Sequence, residues 1–128
     1  LAYVSNESGV VQVYVRPFPK SGSAVWQVST GGGRGPIWAR SGRELFYQTE
    51  RNELMAVETR GGATFTWSSP RVLFDLSDYQ LNPWHPTYDV APDGERFLMA
   101  RRVGNPSTEV VLTQNWFHEV RQVLQGRR

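Results

Sequence analysis

The sequence predicts an all-β chain, a partial β-propeller of about 2.5 to 3 four-stranded antiparallel blades followed by a short C-terminal helix. Three observations carry that expectation. Short apolar runs recur along the 128 residues, separated by turns drawn from 12 Gly and 8 Pro, which supply positive φ and a preset φ respectively. The stretch IWARSGRELFYQTE at residues 37–50 returns, reworded, as YDVAPDGERFLMARR at residues 88–102. A shorter copy, LAYVS, stands at residues 1–5.

Alignment on the turn glycines pairs Gly42 with Gly94, a spacing of 52, and brings Leu45, Phe46 and Tyr47 over Phe97, Leu98 and Met99. Leu1, Ala2 and Tyr3 fall over Leu45, Phe46 and Tyr47 at a spacing of 44. Each copy leads through a loop into a second apolar run, QVYV at 12–15, ELMAV at 53–57 and EVVL at 109–112, so each pair reads as a hairpin. The segments GPIWA at 35–39 and TYDVA at 87–91 precede the second and third copies. Further runs follow the first two hairpins, AVWQVS at 24–29 and TFTWSSPRVLFDL at 64–76. Pro70 in the latter lacks a donor for a ladder and predicts an outer edge or a bulge.

Four short strands at a period of about 40 to 50 residues describe propeller blades stacked face to face. Blade one takes residues 1–30 and lacks its innermost strand, blade two takes 31–76, and blade three takes 77–115 and lacks its outermost strand. The tail NWFHEVRQVLQG changes period, with Trp116, Val120, Val123 and Leu124 at helical spacing, Asn115 as a cap and Gly126 as a stop. It predicts a helix over 116–125 covering a blade.

Composition narrows function. Fourteen basic and twelve acidic residues leave a formal charge of +2, and Arg34, Arg40, Arg43, Arg51 and Arg60 are dispersed among acids, so no nucleic-acid partner is expected. There is no cysteine, which removes disulfides and thiolate zinc sites. No apolar run approaches about 18 residues, so membrane insertion is not expected. A chain opening on LAYVS, with neither initiator Met nor signal-peptide pattern, reads as a piece of something longer.

Candidate sites are few. GGGRG at 31–35 is followed by no helical pattern and no Lys-Ser or Lys-Thr pair, so it reads as a linker between blades and not as a phosphate loop. Arg34 within it is a candidate binding residue at the mouth of the channel. His85 and His118 are the only histidines, too few for a His-only zinc site, so neither metal nor cofactor is expected. No GxSxG elbow, triad or glycosidase carboxylate pair stands out, so no catalytic residues are assigned. The insertion at 75–87 lengthens the repeat from 44 to 52 and carries Tyr79, Trp84 and His85. As a link between blades it would lie on a binding face, where aromatics with a polar tip suit recognition; Trp84 reads equally as a cap on the core between blades.

The residues APDGERFLM, the partial match ARSGRELFY and the approach QVSTGGGRGPIW resemble the propeller repeats of the TolB family. Ser41 and Arg40 depart from that family's preferred Asp and Pro. The resemblance implies a bacterial, periplasmic or otherwise extracytoplasmic propeller, of the kind that ends multidomain proteins including receptor-like Ser/Thr kinases, which recognises a protein or small ligand without catalysis. Its alternative is a propeller segment that gates or senses for a peptidase or kinase domain on the same chain. Two and a half blades leave an apolar face bare at each end, so the ring is expected to be completed either by the rest of a longer chain or by self-association.

Overall fold

The computed structural model describes residues 1–101 apart from positions 20, 21, 23, 63, 83 and 84. The expected strand at 109–112, His118 and the expected helix at 116–125 lie outside the described residues. Within them the chain is all-β, with ten strands in three sheets and every pairing antiparallel. The first sheet runs β1 (Ala2–Ser5), β2 (Gln12–Val15), β3 (Trp26–Gln27). The central sheet runs β4 (Arg34–Trp38), β5 (Glu44–Gln48), β6 (Glu53–Arg60), and β7 (Thr66–Trp67) and β8 (Arg71–Asp75) share the far edge of β6. The third sheet pairs β9 (Tyr88–Val90) with β10 (Phe97–Met99).

The run TFTWSSPRVLFDL, expected as one strand, is broken. Thr59 pairs with Trp67 and Ala56 with Arg71, so residues 68–70 face only residues 57 and 58. The extra residue is a bulge of the kind Pro70 demands, since proline has no N–H for the ladder. Ser68 closes the gap: its N–H donates to the Glu58 carbonyl at 2.9 Å and its Oγ accepts from the Glu58 N–H at 3.1 Å.

The internal repeat is legible bond by bond. In the turn after β4, the Ala39 N–H donates to the Glu44 carbonyl and the Gly42 N–H to the Ala39 carbonyl, both at 2.9 Å. Fifty-two residues on, Ala91 donates to Arg96 and Gly94 to Ala91, both at 2.8 Å. Gly42 and Gly94 take φ of 67° and 75°, the left-handed region open to glycine at no steric cost. Ser41 Oγ accepts from the Arg43 N–H at 3.2 Å as Asp93 Oδ1 accepts from the Glu95 N–H at 3.0 Å, so serine does here what aspartate does in the later copy. The Glu95 N–H, with Arg96 beside it, holds the exposed Asp93 carboxyl below its usual range. The spacing of 44 repeats a second turn: Ser5 Oγ accepts from the Glu7 N–H, and Thr49 Oγ1 from the Arg51 N–H, each at 3.2 Å.

The central sheet is buried on both faces because successive strand residues point to opposite sides. Leu45, Tyr47 and Val57 pack with Val13, Val15 and Val28 of the first sheet. Phe46, Leu54 and Ala56 pack with Leu76, Tyr88, Phe97 and Met99 on the third-sheet side. β1 lies against β4, and β4 against β9. Four consecutive β5 residues, Leu45 to Gln48, are buried, and the apolar run Leu45-Phe46-Tyr47 is what a strand covered on both faces requires.

Polar atoms inside the first interface are paired. Ser29 Oγ donates to Gln12 Oε1 at 2.6 Å and accepts from the Val13 N–H at 2.8 Å, which continues the β2 ladder past the end of β3. Gln12 Oε1 also accepts from the Gly32 N–H at 3.2 Å, and the Gly33 N–H donates to the Val11 carbonyl at 3.0 Å. The glycine-rich stretch is therefore stitched to β2, with these amides already spent.

Candidate functional site

Arg34 opens β4, and its partner in the ladder is Gln48, the last residue of β5. A register shift between Arg34 and Ile37 makes that pairing. The turn at 49–52 follows β5, and residues 81 and 82 of the insertion close over it. Together Arg34, Gln48, Thr49, Glu50, Asn52, Leu81 and Asn82 line a depression of about 290 Å³.

Arg34 Nη2 meets Glu50 Oε1 at 3.2 Å, with both side chains well exposed. Such a pair contributes about 0 to 1 kcal/mol. Thr49 fixes the turn, its Oγ1 accepting from the N–H groups of Arg51 and Glu53 at 3.2 Å. Asn52 takes φ of 59°, which asparagine tolerates better than most residues. Two buried donors on residues that line the depression, Arg34 Nε and Gln48 Nε2, have no partner. Gln48 is only 5% exposed. A buried donor without an acceptor costs about 1 to 3 kcal/mol, so this pair is the least satisfied polar spot at the end of the central sheet.

The insertion is pinned against β4. The Tyr88 hydroxyl donates to the Gly35 carbonyl at 2.8 Å, and a Cβ on Gly35 would stand 3.3 Å from Pro86 Cα. His85 is exposed and donates its backbone N–H to Asn82 Oδ1 at 3.2 Å. Of the four expected binding residues, Arg34 lines the depression and His85 is linked to it through Asn82. Tyr79 does not line it: its ring lies 6.4 Å from Phe74, packed against the central core, and its backbone bridges Arg101. Trp84 lies outside the described residues.

Gln48, Glu50, Asn52 and Asn82 were not singled out by sequence reasoning. Glu50 and Asn52 belong to a hairpin turn, where polar residues are ordinary, and Gln48 continues an apolar strand. Among the described residues no group of three or more His, Cys, Asp or Glu is placed to hold a metal ion. A second depression of about 470 Å³ opens at the other end of the sheets, walled by Trp26, Trp38 and Phe65 with Phe18 at its edge. No family model matches the chain, nor does any curated protein or solved structure.

Proposed function

We propose that the chain is a segment of a TolB-like β-propeller, an extracytoplasmic and non-catalytic recognition module that binds its ligand or protein partner at the end where Arg34, Gln48, Glu50 and Asn82 converge. The observation that carries the reading is the pair of buried, unpartnered donors on residues that line that depression, set on the ends of sheet strands and so held in fixed positions. Rigid elements with a few convergent polar groups are what recognition requires. The propeller architecture is supported by the turn bonds repeated at spacings of 44 and 52 and by the contacts that run from β1 to β4 to β9. On the outer side of the third sheet Leu98 is 45% exposed, as a sheet awaiting another layer would be.

Nuclear magnetic resonance of the 128-residue chain, titrated with a mixed library of metabolites, saccharides and short peptides, tests the site. Recognition at this end gives shifts centred on residues 34, 48–52 and 81–86. Ligand shifts centred on residues 41–44 and 58–61, at the opposite end of β5 and β6, would overturn it. Ring completion by a second copy predicts a dimer in size-exclusion chromatography; completion by a longer parent chain predicts that only the parent yields ring-shaped particles in electron microscopy.

A further inference from the structure

The depression's charge and hydrogen-bond inventory narrows the ligand. Arg34 and Gln48 face each other across the β4–β5 ladder, so their side chains leave the sheet at one level and on one side. Each carries one buried nitrogen donor with no acceptor, Nε of Arg34 and Nε2 of Gln48. An acceptor placed between them would satisfy two buried groups at once. The guanidinium charge is already balanced by Glu50 at 3.2 Å, so an anionic acceptor would leave the site with an uncompensated negative charge, and a cation would face Arg34. A neutral acceptor avoids both.

A carbonyl and a hydroxyl both accept, and Glu50 separates them. A carboxylate offers about four lone-pair sites, and Arg34 Nη2 occupies one of them. A hydroxyl accepts from Arg34 Nε and Gln48 Nε2 while donating its own proton to that carboxylate. A carbonyl cannot make the second bond. Asn52 and Asn82 bring amides to the rim, and Leu81 supplies an apolar wall. Planar amides and carboxylates reading adjacent hydroxyls, beside a small apolar surface, suit a sugar ring. About 290 Å³ is close to the lower end of small-molecule sites.

We propose that this depression is a saccharide subsite: a neutral sugar hydroxyl accepts from Arg34 Nε and Gln48 Nε2 and donates to Glu50. The inference rests on the recognition reading above and names its ligand class.

The experiment follows the side-chain N–H signals of Gln48 and Arg34 in the intact chain during titration with neutral mono- and disaccharides, the matching uronic acids, inorganic phosphate and short peptides. Neutral sugars are expected to shift both signals at millimolar concentration and to bind about tenfold more tightly than their uronates. Arg34→Lys keeps the cation and removes Nε, and Gln48→Met keeps the shape and removes the amide; each is expected to weaken binding about tenfold. Glu50→Gln, at an exposed position that leaves folding intact, is expected to move the preference toward the uronate. Peptides or phosphate shifting Gln48 while sugars do not would overturn the saccharide assignment and leave recognition standing. An unmoved Gln48 signal with every compound, the donors meeting water alone, would overturn both. Sugar binding unchanged in Glu50→Gln, with no gain for the uronate, would also overturn the assignment.

Discussion

The Tyr88 hydroxyl donates to the Gly35 carbonyl at 2.8 Å across 53 residues of sequence, joining the first residue of β9 to the second residue of β4. The bond holds the third sheet against the strand that carries Arg34. Gly35 takes φ of 55° and lets Pro86 approach, so the carbonyl's direction is set by a residue without a side chain. Tyr88→Phe keeps the ring in the core and removes the donor. It is expected to cost about 1 to 2 kcal/mol in urea unfolding and to quicken amide exchange in residues 33–35. An unchanged midpoint with unchanged exchange would show that the bond holds nothing.

Ser29 is a second joint, between the first sheet and the glycine-rich stretch. Its hydroxyl replaces a strand carbonyl as the acceptor for the Val13 N–H and donates to Gln12 Oε1. Ser29 is fully buried, so no water takes its place. Ser29→Ala is expected to destabilise by about 2 kcal/mol because the buried Val13 N–H loses its acceptor and the Gln12 amide oxygen loses one of its two donors. Chemical denaturation measures it, and a loss no greater than that of an exposed serine such as Ser8 mutated to alanine would contradict the network.

Alternation along β10 gives a paired test of sheet stacking. Phe97 meets Phe46 edge-on at 5.0 Å and Phe74 at 5.8 Å, whereas Leu98 next to it points away and is half-exposed. Phe97→Ala is expected to cost about 3 to 5 kcal/mol and Leu98→Ala about 0.5 kcal/mol or less. Equal costs would mean that β10 is not seated on the central sheet as described.

Much of the fold was legible because strands and turns obey local rules. QVYV at 12–15 is β2 without adjustment, and the turn glycines at 42 and 94 mark two copies of one hydrogen-bonded turn. Pro70 broke its strand for the reason proline always does. Less legible were features set by register. Counting back from Trp38 opposite Leu45 and Ile37 opposite Phe46 puts Arg34 opposite Thr49, yet the irregularity before Ile37 moves it to Gln48. That single slip creates the paired donors of the candidate site, and no residue type announces it. Arg34 was visible as a charge in a glycine-rich segment. Tyr79 looked like a recognition aromatic but serves the core, because half-buried rings at loop starts carry the same sequence signal as exposed ones. Which segment of the insertion would reach β4 depended on Pro86 fitting over Gly35, a contact between residues 51 positions apart.

Two of the buried tyrosines, Tyr47 and Tyr88, predict how the chain fails in alkali. Burial pushes the Tyr47 phenol up to about 12 and that of Tyr88 higher still, against about 10 in an unfolded chain. Raised values mean that the folded state keeps protons the unfolded state gives up, so the full stability is present below about pH 10 and is lost as pH rises through the folded values. Each such phenol adds a slope of about 1.4 kcal/mol per pH unit over that window. Tyr47→Phe is expected to have a similar urea midpoint at pH 7 and a shallower decline between pH 10 and 12, smaller by about one proton's worth. Parallel declines in the wild type and the variant would mean that the Tyr47 hydroxyl ionises as freely in the folded sheet as in water, and that the packing of the first sheet over β5 does not exclude solvent from it.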